Sequence, residues 1–199
     1  LKAIELASKA NNPARMSVIQ GMASEIFHAQ GKNQEALLHI EEACKIEENL
    51  QREGKMMVRL TQKASILVGL NKWTEAEQTL QRAIPYLKEN QNFQSYAIAC
   101  NKMGMALLAQ GRNDEAIRYF REAADIFSAN GDLRNEMHSR KGLYESYWGE
   151  HPDSAKMEIE RFNDLKDTLY NNATAESLAK FDTVFEAMWL RLENQKQRT

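Results

Sequence analysis

Apolar residues recur at three- and four-residue intervals along most of this chain, which is the spacing of amphipathic α-helices. In the stretch DEAIRYFREAADIF, the residues on one helical stripe are Ala116, Ile117, Phe120, Ala123, Ala124 and Phe127. Few segments alternate apolar and polar residues with the period of a β-strand. Short polar clusters, among them QGKN, ENQN, QGRND and ANGD, interrupt the stripes at intervals. The pattern therefore predicts an all-α fold of about ten helices joined by short turns.

The helical pattern repeats every 40 residues, as from position 36 to position 76 and from position 76 to position 116. In the second half of each repeat two alanines flank one bulky residue: Ala36, Ile40 and Ala43, then Ala76, Leu80 and Ala83, then Ala116, Phe120 and Ala123. In the first half a small residue precedes a larger apolar one: Ser24 and Phe27, Ala64 and Leu67, Gly104 and Leu107. Antiparallel helices pack closely only where small side chains let their backbones approach, and one pair alone leaves an apolar face open. The repeat thus predicts helix pairs that stack on one another.

This frame divides the chain into segments. It predicts an array over residues 1–170 with repeats near 17–56, 57–96, 97–136 and 137–170, residues 1–12 as the remnant of a preceding repeat, and 171–199 as a capping and linker helix. Ala3 lies one full interval before Ala43, so we expect the chain to begin inside a second helix. In the fourth pair, the frame predicts a turn one residue shorter, Pro152 at the start of the second helix, and Ala155 in the place of Ala116.

The stretch MGMALLAQGRNDEAIRYFREAA, residues 103–124, resembles the tetratricopeptide repeat. That family has a large residue, then Gly or Ala, then an aromatic residue in its first helix, and Ala, an aromatic residue and Ala in its second. We expect Gly111 to end the first helix, since a left-handed residue there favours glycine. Lys63 and Asn71 depart from the pattern, and the period of about 40 residues exceeds the usual unit of about 34. The resemblance implies a right-handed α-α superhelix, or TPR solenoid, of about four helix pairs with a truncated N-terminal helix and a C-terminal capping helix.

The resemblance also implies that side chains of the first helices line a concave groove that binds a peptide or protein. The matching positions are Met22, Glu25 and His28, then Thr61 and Ser65, then Asn101 and Met105, and finally Lys141, Glu145 and Trp148. They lack the repeated Lys and Asn set with which chaperone-binding members clamp a C-terminal carboxylate. Flexible methionine and a flat tryptophan favour an apolar peptide or helix. A competing interpretation is that Met22, Met105 and Trp148 pack between neighbouring helices.

The C-terminal part carries a second resemblance. ERFNDLKDTLYN followed by LAKFDTVFEA resembles the end of the periplasmic repeat domains of bacterial two-component regulators. This implies a sensor or regulatory module in the periplasm, with a histidine kinase or DNA-binding output domain outside these residues. Two alternatives remain open: a scaffold that assembles partners without switching, and a cytoplasmic peptide-pheromone receptor. A homodimer through the terminal helices is a further expectation, because a truncated repeat at Leu1, Ile4 and Leu6 leaves apolar side chains open.

Charge and motif content narrow the classes of function. Lysine and arginine number 26 against 28 acidic residues, so nothing favours direct binding of nucleic acid. No apolar run reaches the roughly 18 residues that a membrane-spanning helix needs. The four histidines lack the i, i+4 spacing of a metal site, and two cysteines suit neither a disulfide framework nor a metal cluster. The sequence therefore predicts a non-catalytic protein with no cofactor and no metal.

Overall fold

The computed structural model describes the backbone of residues 12–196 and the side chains of residues 12–177. Within that part there are eight helices and no strand: α1 (Pro13–Ala29), α2 (Asn33–Asn49), α3 (Glu53–Gly69), α4 (Trp73–Glu89), α5 (Phe93–Ala109), α6 (Asn113–Ala129), α7 (Leu133–Tyr147) and α8 (Pro152–Lys196). The predicted all-α fold of stacked helix pairs is confirmed. The ten predicted helices are not all separate, because the last two form the single helix α8, and residues 1–11 of the expected N-terminal remnant lie outside the description.

Helix lengths repeat as regularly as the sequence does. Helices α1 to α6 each have 17 residues, and they begin at the evenly spaced positions 13, 33, 53, 73, 93 and 113. The first helices of the four pairs begin at positions 13, 53, 93 and 133, slightly before the predicted repeat boundaries. Three of these helices begin there because Asn12, Asn92 and Asp132 accept a hydrogen bond from a first-turn amide.

Six turns between these helices share one backbone geometry. The middle residue of each turn has a positive φ of between 52° and 75°, and these residues are Gly31, Gln51, Asn71, Gln91, Gly111 and Gly131. The amide after each of them donates to a carbonyl in the preceding helix, as from Lys72 to Leu67 at 2.9 Å. This is the Schellman closure of a helix C-terminus, for which glycine is the usual residue. The role predicted for Gly111 is therefore correct, and Asn71 takes the same conformation in its own turn.

The second-helix pattern of alanine, bulky residue and alanine forms the centre of the core. All nine residues of that pattern are at most 1% exposed. The ring of Phe120 lies against Gly104, where an added Cβ would come within 2.8 Å of Phe120 Cδ1. At the equivalent positions the small residue shrinks from Ser24 through Ala64 to Gly104 as the bulky one changes from Ile40 through Leu80 to Phe120. The largest of the three bulky residues, Phe120, is thus matched by glycine, the smallest residue, on the facing helix.

The two layers of helices pack differently. Among the described residues, the backbones of successive first helices approach one another, from α1 to α3, α3 to α5 and α5 to α7, whereas those of successive second helices do not. Second helices meet instead through long side chains, as where Lys88 Nζ of α4 donates to Glu122 of α6 at 2.7 Å. The first helices therefore lie closer together, and the stack bends around them. They line the inner face of the array, where the repeat frame predicts the groove.

The fourth pair ends the regular array. Helix α7 has 15 residues, and α8 begins at Pro152, one position earlier than the regular step. The predicted shorter turn is wrong, because the turn spans residues 148–151 and is one residue longer than those of the earlier pairs, while the helix before it is shorter. Ala155 is buried at the position of Ala116, and Phe162 packs edge-on against Tyr144 at 5.7 Å between ring centroids. Helix α8 then continues to Lys196 without a break, so the boundary predicted between residues 170 and 171 falls inside it. The side chains of the C-terminal apolar stripe from Leu178 onward lie outside the description.

A buried ion cluster joins α7 to α8. Glu136 is almost completely buried, and its carboxylate accepts from Arg140 at 3.4 Å and from Arg161 at 3.2 Å. Arg140 also donates to Glu158 at 3.2 Å. Because these contacts come from both helices, they fix the position of α8 along α7. No helix in the described part of the chain combines the length and the apolar composition required to cross a bilayer.

Candidate functional site: the groove of the first helices

Two adjoining cavities lie on the inner face of the array, one on each side of α5. The first cavity, of about 320 Å³, lies between α1, α3 and α5. The second, of about 430 Å³, lies between α5 and α7 and is closed from below by Trp73 and Phe120 of the second helices. Lys102 of α5 lines both cavities. Volumes of this order accommodate one or two side chains of a bound chain each.

Three of the four hydroxyl groups in the wall of the first cavity have their hydrogens engaged within their own helices. Ser24 Oγ donates to the Gly21 carbonyl at 2.6 Å, and Thr61 Oγ1 donates to the Met57 carbonyl at 3.1 Å. Ser65 Oγ donates to the Thr61 carbonyl at 3.2 Å. A hydroxyl has only one hydrogen, so these three groups present oxygen lone pairs to the cavity. The apolar part of the wall comes from Val58, Ile66 and Ile98.

A chain of polar contacts orients Glu25 at the rim of the first cavity. Arg59 Nη1 donates to Gln62 Oε1 at 2.8 Å, which turns the Gln62 amide nitrogen toward Glu25. That nitrogen donates to Glu25 Oε1. The guanidinium of Arg59 lies over Gly21, where any Cβ would collide with it. The buried Arg59 thus orients Gln62, and Gln62 in turn orients the Glu25 carboxylate.

The neighbours of His28 determine which of its two ring nitrogens faces an acceptor. Asn33 Nδ2 donates to the Gly69 carbonyl at 2.9 Å, which leaves Asn33 Oδ1 facing His28 Nδ1 at 2.7 Å. Because Oδ1 can only accept, Nδ1 of His28 carries a hydrogen. In the neutral imidazole Nε2 is then an acceptor, as are the hydroxyls beside it.

The second cavity has an apolar floor and a basic side. Met105, Leu108 and the aromatic residues below them form its floor and one wall. On α7, Lys141 and Glu145 form an ion pair at 3.5 Å. Burial lowers the pKa of His138, and the positive charges of Lys102, Arg134 and Lys141 lower it further. The histidine is therefore neutral at pH 7, and the cationic groups that line this cavity are lysines.

Eight of the ten residues predicted to line the groove border these cavities. Glu25, His28, Thr61 and Ser65 line the first cavity, and Asn101, Met105, Lys141 and Glu145 line the second. Met22 and Trp148 line neither, and they are 57% and 69% exposed. That exposure is also at odds with the competing interpretation of these two residues as packing between helices. The binding role of the eight stays a prediction.

One set of lining residues is absent from the groove predicted from the sequence. Val58, Ile98 and His138 occupy the same place in successive repeats, about one helical turn before the predicted positions, and all three border a cavity. The repeat frame contains this signal, because the three residues are separated by the repeat interval. The groove positions implied by the family resemblance leave these three residues out. Which side chains face the neighbouring first helix is not part of that pattern.

The described residues contain no arrangement typical of catalysis. Burial raises the pKa of the Cys44 thiol to about 11 and that of Cys100 to about 12, so both thiols are protonated at neutral pH. No group of three or more metal-binding side chains occurs within the described part. What the groove offers is apolar surface with oriented polar groups, which is a binding chemistry.

Comparisons with known proteins agree with the repeat architecture. The sequence model of the tetratricopeptide repeat matches residues 97–130. No curated protein matches the chain. Among solved structures, the fold is similar to that of BtubC (BKLC) from P. vanneervenii, with a TM-score of 0.68 and 18% identity. That match covers 80% of this chain and spans 66% of the length of the other.

A second solved structure has the same kind of fold. It is a putative kinesin light chain from Podosopora anserina with nearly identical TPR-like repeats, with a TM-score of 0.62, 15% identity and 83% of each chain covered. A variant of the same protein gives a TM-score of 0.65 at 15% identity, with 84% of each chain covered. Identities this low support the fold alone. The family match and these structures together support a protein built from tetratricopeptide repeats, which generally bind proteins or peptides.

Proposed function

We propose that this protein is a non-catalytic binding module whose inner groove holds a segment of a peptide or of a partner protein. The observation that carries the proposal is the pair of adjoining cavities along α5, both lined by first-helix side chains. Two side-chain-sized cavities in line with each other fit successive residues of one bound chain.

The chemistry of the groove favours a segment that is partly apolar. Met105 is flexible and polarisable, so it can adjust to side chains of different shape. Leu108, Ile98 and Val58 provide apolar surface that a bound residue would remove from water, at about 25 cal/mol per Å². The hydroxyl oxygens and the Nε2 atom of His28 can accept from the amide hydrogens of a bound backbone.

We also propose that the module has a sensor or regulatory role in a bacterial signalling protein and works in the periplasm. The support is the resemblance of residues 160–171 and 178–187 to the end of periplasmic sensor repeats. Helix α8 adds to it, because its 45 residues begin in contact with α7 and continue past the array. A shift of α7 caused by a ligand in the second cavity would be passed along α8, since Arg161 ties α8 to Glu136.

Substituting Met105 with alanine is expected to weaken ligand binding about tenfold, since about 1–2 kcal/mol of apolar contact is lost. The probe is a twelve-residue peptide selected from a random phage-displayed library on the wild-type protein and then synthesised. Calorimetric titration gives the dissociation constant for each variant. Leu38→Ala is the matched control, because Leu38 is an exposed apolar residue on α2, outside the groove.

Two results would count against the groove. One is a selected peptide that binds Met105→Ala as tightly as wild type while Leu38→Ala weakens it, which would place the site on the second helices. The other is a library that yields no binding peptide after repeated selection. Neither result would change the description of the fold.

A further inference from the structure

Lys102 differs from every other lysine or arginine that is partly or fully buried in the described part of the chain. Each of the others has a carboxylate within 4.0 Å: Arg52 and Arg59 have Glu47, Lys63 has Glu41, Arg112 has Glu77, and Arg140 has Glu136. Lys102 is also partly buried, yet within residues 12–177 it makes neither an ion pair nor a hydrogen bond. A partly buried charge without a partner is unfavourable, and burial lowers the pKa of this ammonium group accordingly.

The position of Lys102 indicates which group of a ligand could pair with its ammonium group. It is the residue shared by the two cavities, with Ile98 on one side and Met105 on the other. The two carboxylates that line the same cavities make other contacts, since Glu25 accepts from the neutral Gln62 amide and Glu145 pairs with Lys141. Neither forms an ion pair with Lys102, so a bound segment can supply the counter-charge.

We propose that the bound segment carries a carboxylate, flanked by apolar side chains, that pairs with Lys102 between the two cavities. The inference rests on the proposed function, since it names the chemistry of the segment held in that groove. A neutral segment would cover the ammonium group and leave it unpaired, so the groove discriminates against it. Selectivity for an acidic residue comes from this difference between a paired and an unpaired ammonium group. The apolar neighbours contribute affinity.

The carboxylate can come from an acidic side chain or from the end of a chain, and three peptides separate these sources. All are twelve residues long, built from leucine and alanine with lysines at the outer positions for solubility. The first has a central glutamate and an amidated C-terminus, and the second has glutamine in its place. The third has the central glutamine and a free C-terminal carboxylate.

The test titrates these peptides against wild type, Lys102→Met and Lys45→Met. Methionine keeps most of the length of lysine without its charge, and Lys45 is an exposed lysine on α2 that serves as the control. We expect wild type and Lys45→Met to bind the glutamate peptide at least tenfold more tightly than the glutamine peptide, and Lys102→Met to bind the two equally. If the third peptide is the preferred one and Lys102→Met removes that preference, the carboxylate is that of a chain end.

Other results would overturn the inference. Equal binding of all three peptides to wild type, weakened by Met105→Ala, would remove the role of Lys102 and keep the groove. A glutamate preference that survives in Lys102→Met would do the same. Binding that is absent, or indifferent to Met105→Ala, would count against the groove itself.

The free protein offers a second readout that needs no ligand. Since the ammonium group is unpaired, Lys102→Met is expected to raise the thermal unfolding midpoint, whereas Lys45→Met leaves it unchanged. A midpoint that falls in Lys102→Met would show that the charge is already compensated in the free protein, which contradicts the inference.

Discussion

Replacing Phe120 with alanine is expected to lower the free energy of unfolding by about 3–5 kcal/mol. The side chain is 1% exposed, and its ring lies between two glycines on successive first helices, Gly104 and Gly142. These helices cannot close the space left by the ring without moving relative to each other, so a cavity remains. Urea unfolding followed by circular dichroism measures the change.

A double-mutant cycle tests the fit between ring and glycine. A Cβ at Gly142 would lie 2.4 Å from Phe120 Cε1, so Gly142→Ala is expected to cost about 1–3 kcal/mol in the wild-type background. In a Phe120→Ala background all of the clashing ring atoms are gone, and the same change is expected to stabilise by up to about 1 kcal/mol through helix propensity. Gly54→Ala is the control, because its Cβ would meet only the Tyr86 side chain, with the hydroxyl at 3.4 Å.

The sign reversal is the decisive part of that cycle. A cost of Gly142→Ala that is the same in both backgrounds would mean that the ring does not set the distance between α5 and α7. The complementary volumes along the array would then be a coincidence of composition.

Replacing Glu47 with alanine is also expected to destabilise the fold by about 3–5 kcal/mol. Glu47 is 1% exposed and accepts from Arg52 at 2.7 and 2.8 Å and from the Ser17 hydroxyl. Its removal leaves Arg59 buried without a carboxylate. The control is Glu48→Ala, which removes an exposed carboxylate from the same helix turn.

The cost comes from the charge left behind, and a combined variant isolates it. The double variant Glu47→Leu with Arg59→Ala removes both buried charges and is expected to recover most of the lost stability. Leucine stands at the equivalent place in α3, α4 and α5, and alanine stands at the place of Arg59 in α5. A double variant as unstable as Glu47→Ala would show that the packing of these side chains matters more than their charge.

The contribution of Glu47 depends on pH with a defined sign. Burial raises the pKa of its carboxyl, but hydrogen bonds from Arg52 and Ser17 and the charges of Arg52 and Arg59 outweigh burial and bring the pKa below its ordinary value. The stabilisation is therefore complete above about pH 4.3, the unfolded value, and is lost as the pH falls through the lower folded pKa. The difference in stability between wild type and Glu47→Ala should narrow from pH 7 to pH 3.

The repeat frame could be predicted from the sequence because it depends on side-chain volume. Alanines at a fixed interval mark the places where helices must approach, and no other residue type meets that need as well. The turn at Gly111 was readable for the same reason, since a positive φ favours glycine. Gln51 and Gln91 adopt that conformation without any such signal, because the helix spacing imposes it on whatever residue is present.

The pairing of charged side chains was harder to predict from the sequence than the packing of side-chain volumes. Glu47 occupies a position at which Phe27, Leu67 and their later equivalents are apolar, and one sequence does not tell whether a charge there is buried or turned outward. Its partner Ser17 lies on another helix, 30 residues away. Lys102 lies on a first helix, where the repeat frame predicts the groove, but its lack of a partner depends on where all neighbouring carboxylates point. Long-range pairing of this kind is decided by the fold.

Site-specific photo-cross-linking tests the central claim most directly, that ligands bind on the inner face of the first helices. A benzophenone amino acid is placed singly at Ser65 and Met105, inside the groove, or at Gln81 and Arg118, exposed on the second helices. Each variant is irradiated with the library-selected peptide, and the products are identified by mass spectrometry. If ligands bind in the groove, Ser65 and Met105 give cross-links and Gln81 and Arg118 give none. Cross-links from Gln81 or Arg118 without any from the groove positions would contradict this claim.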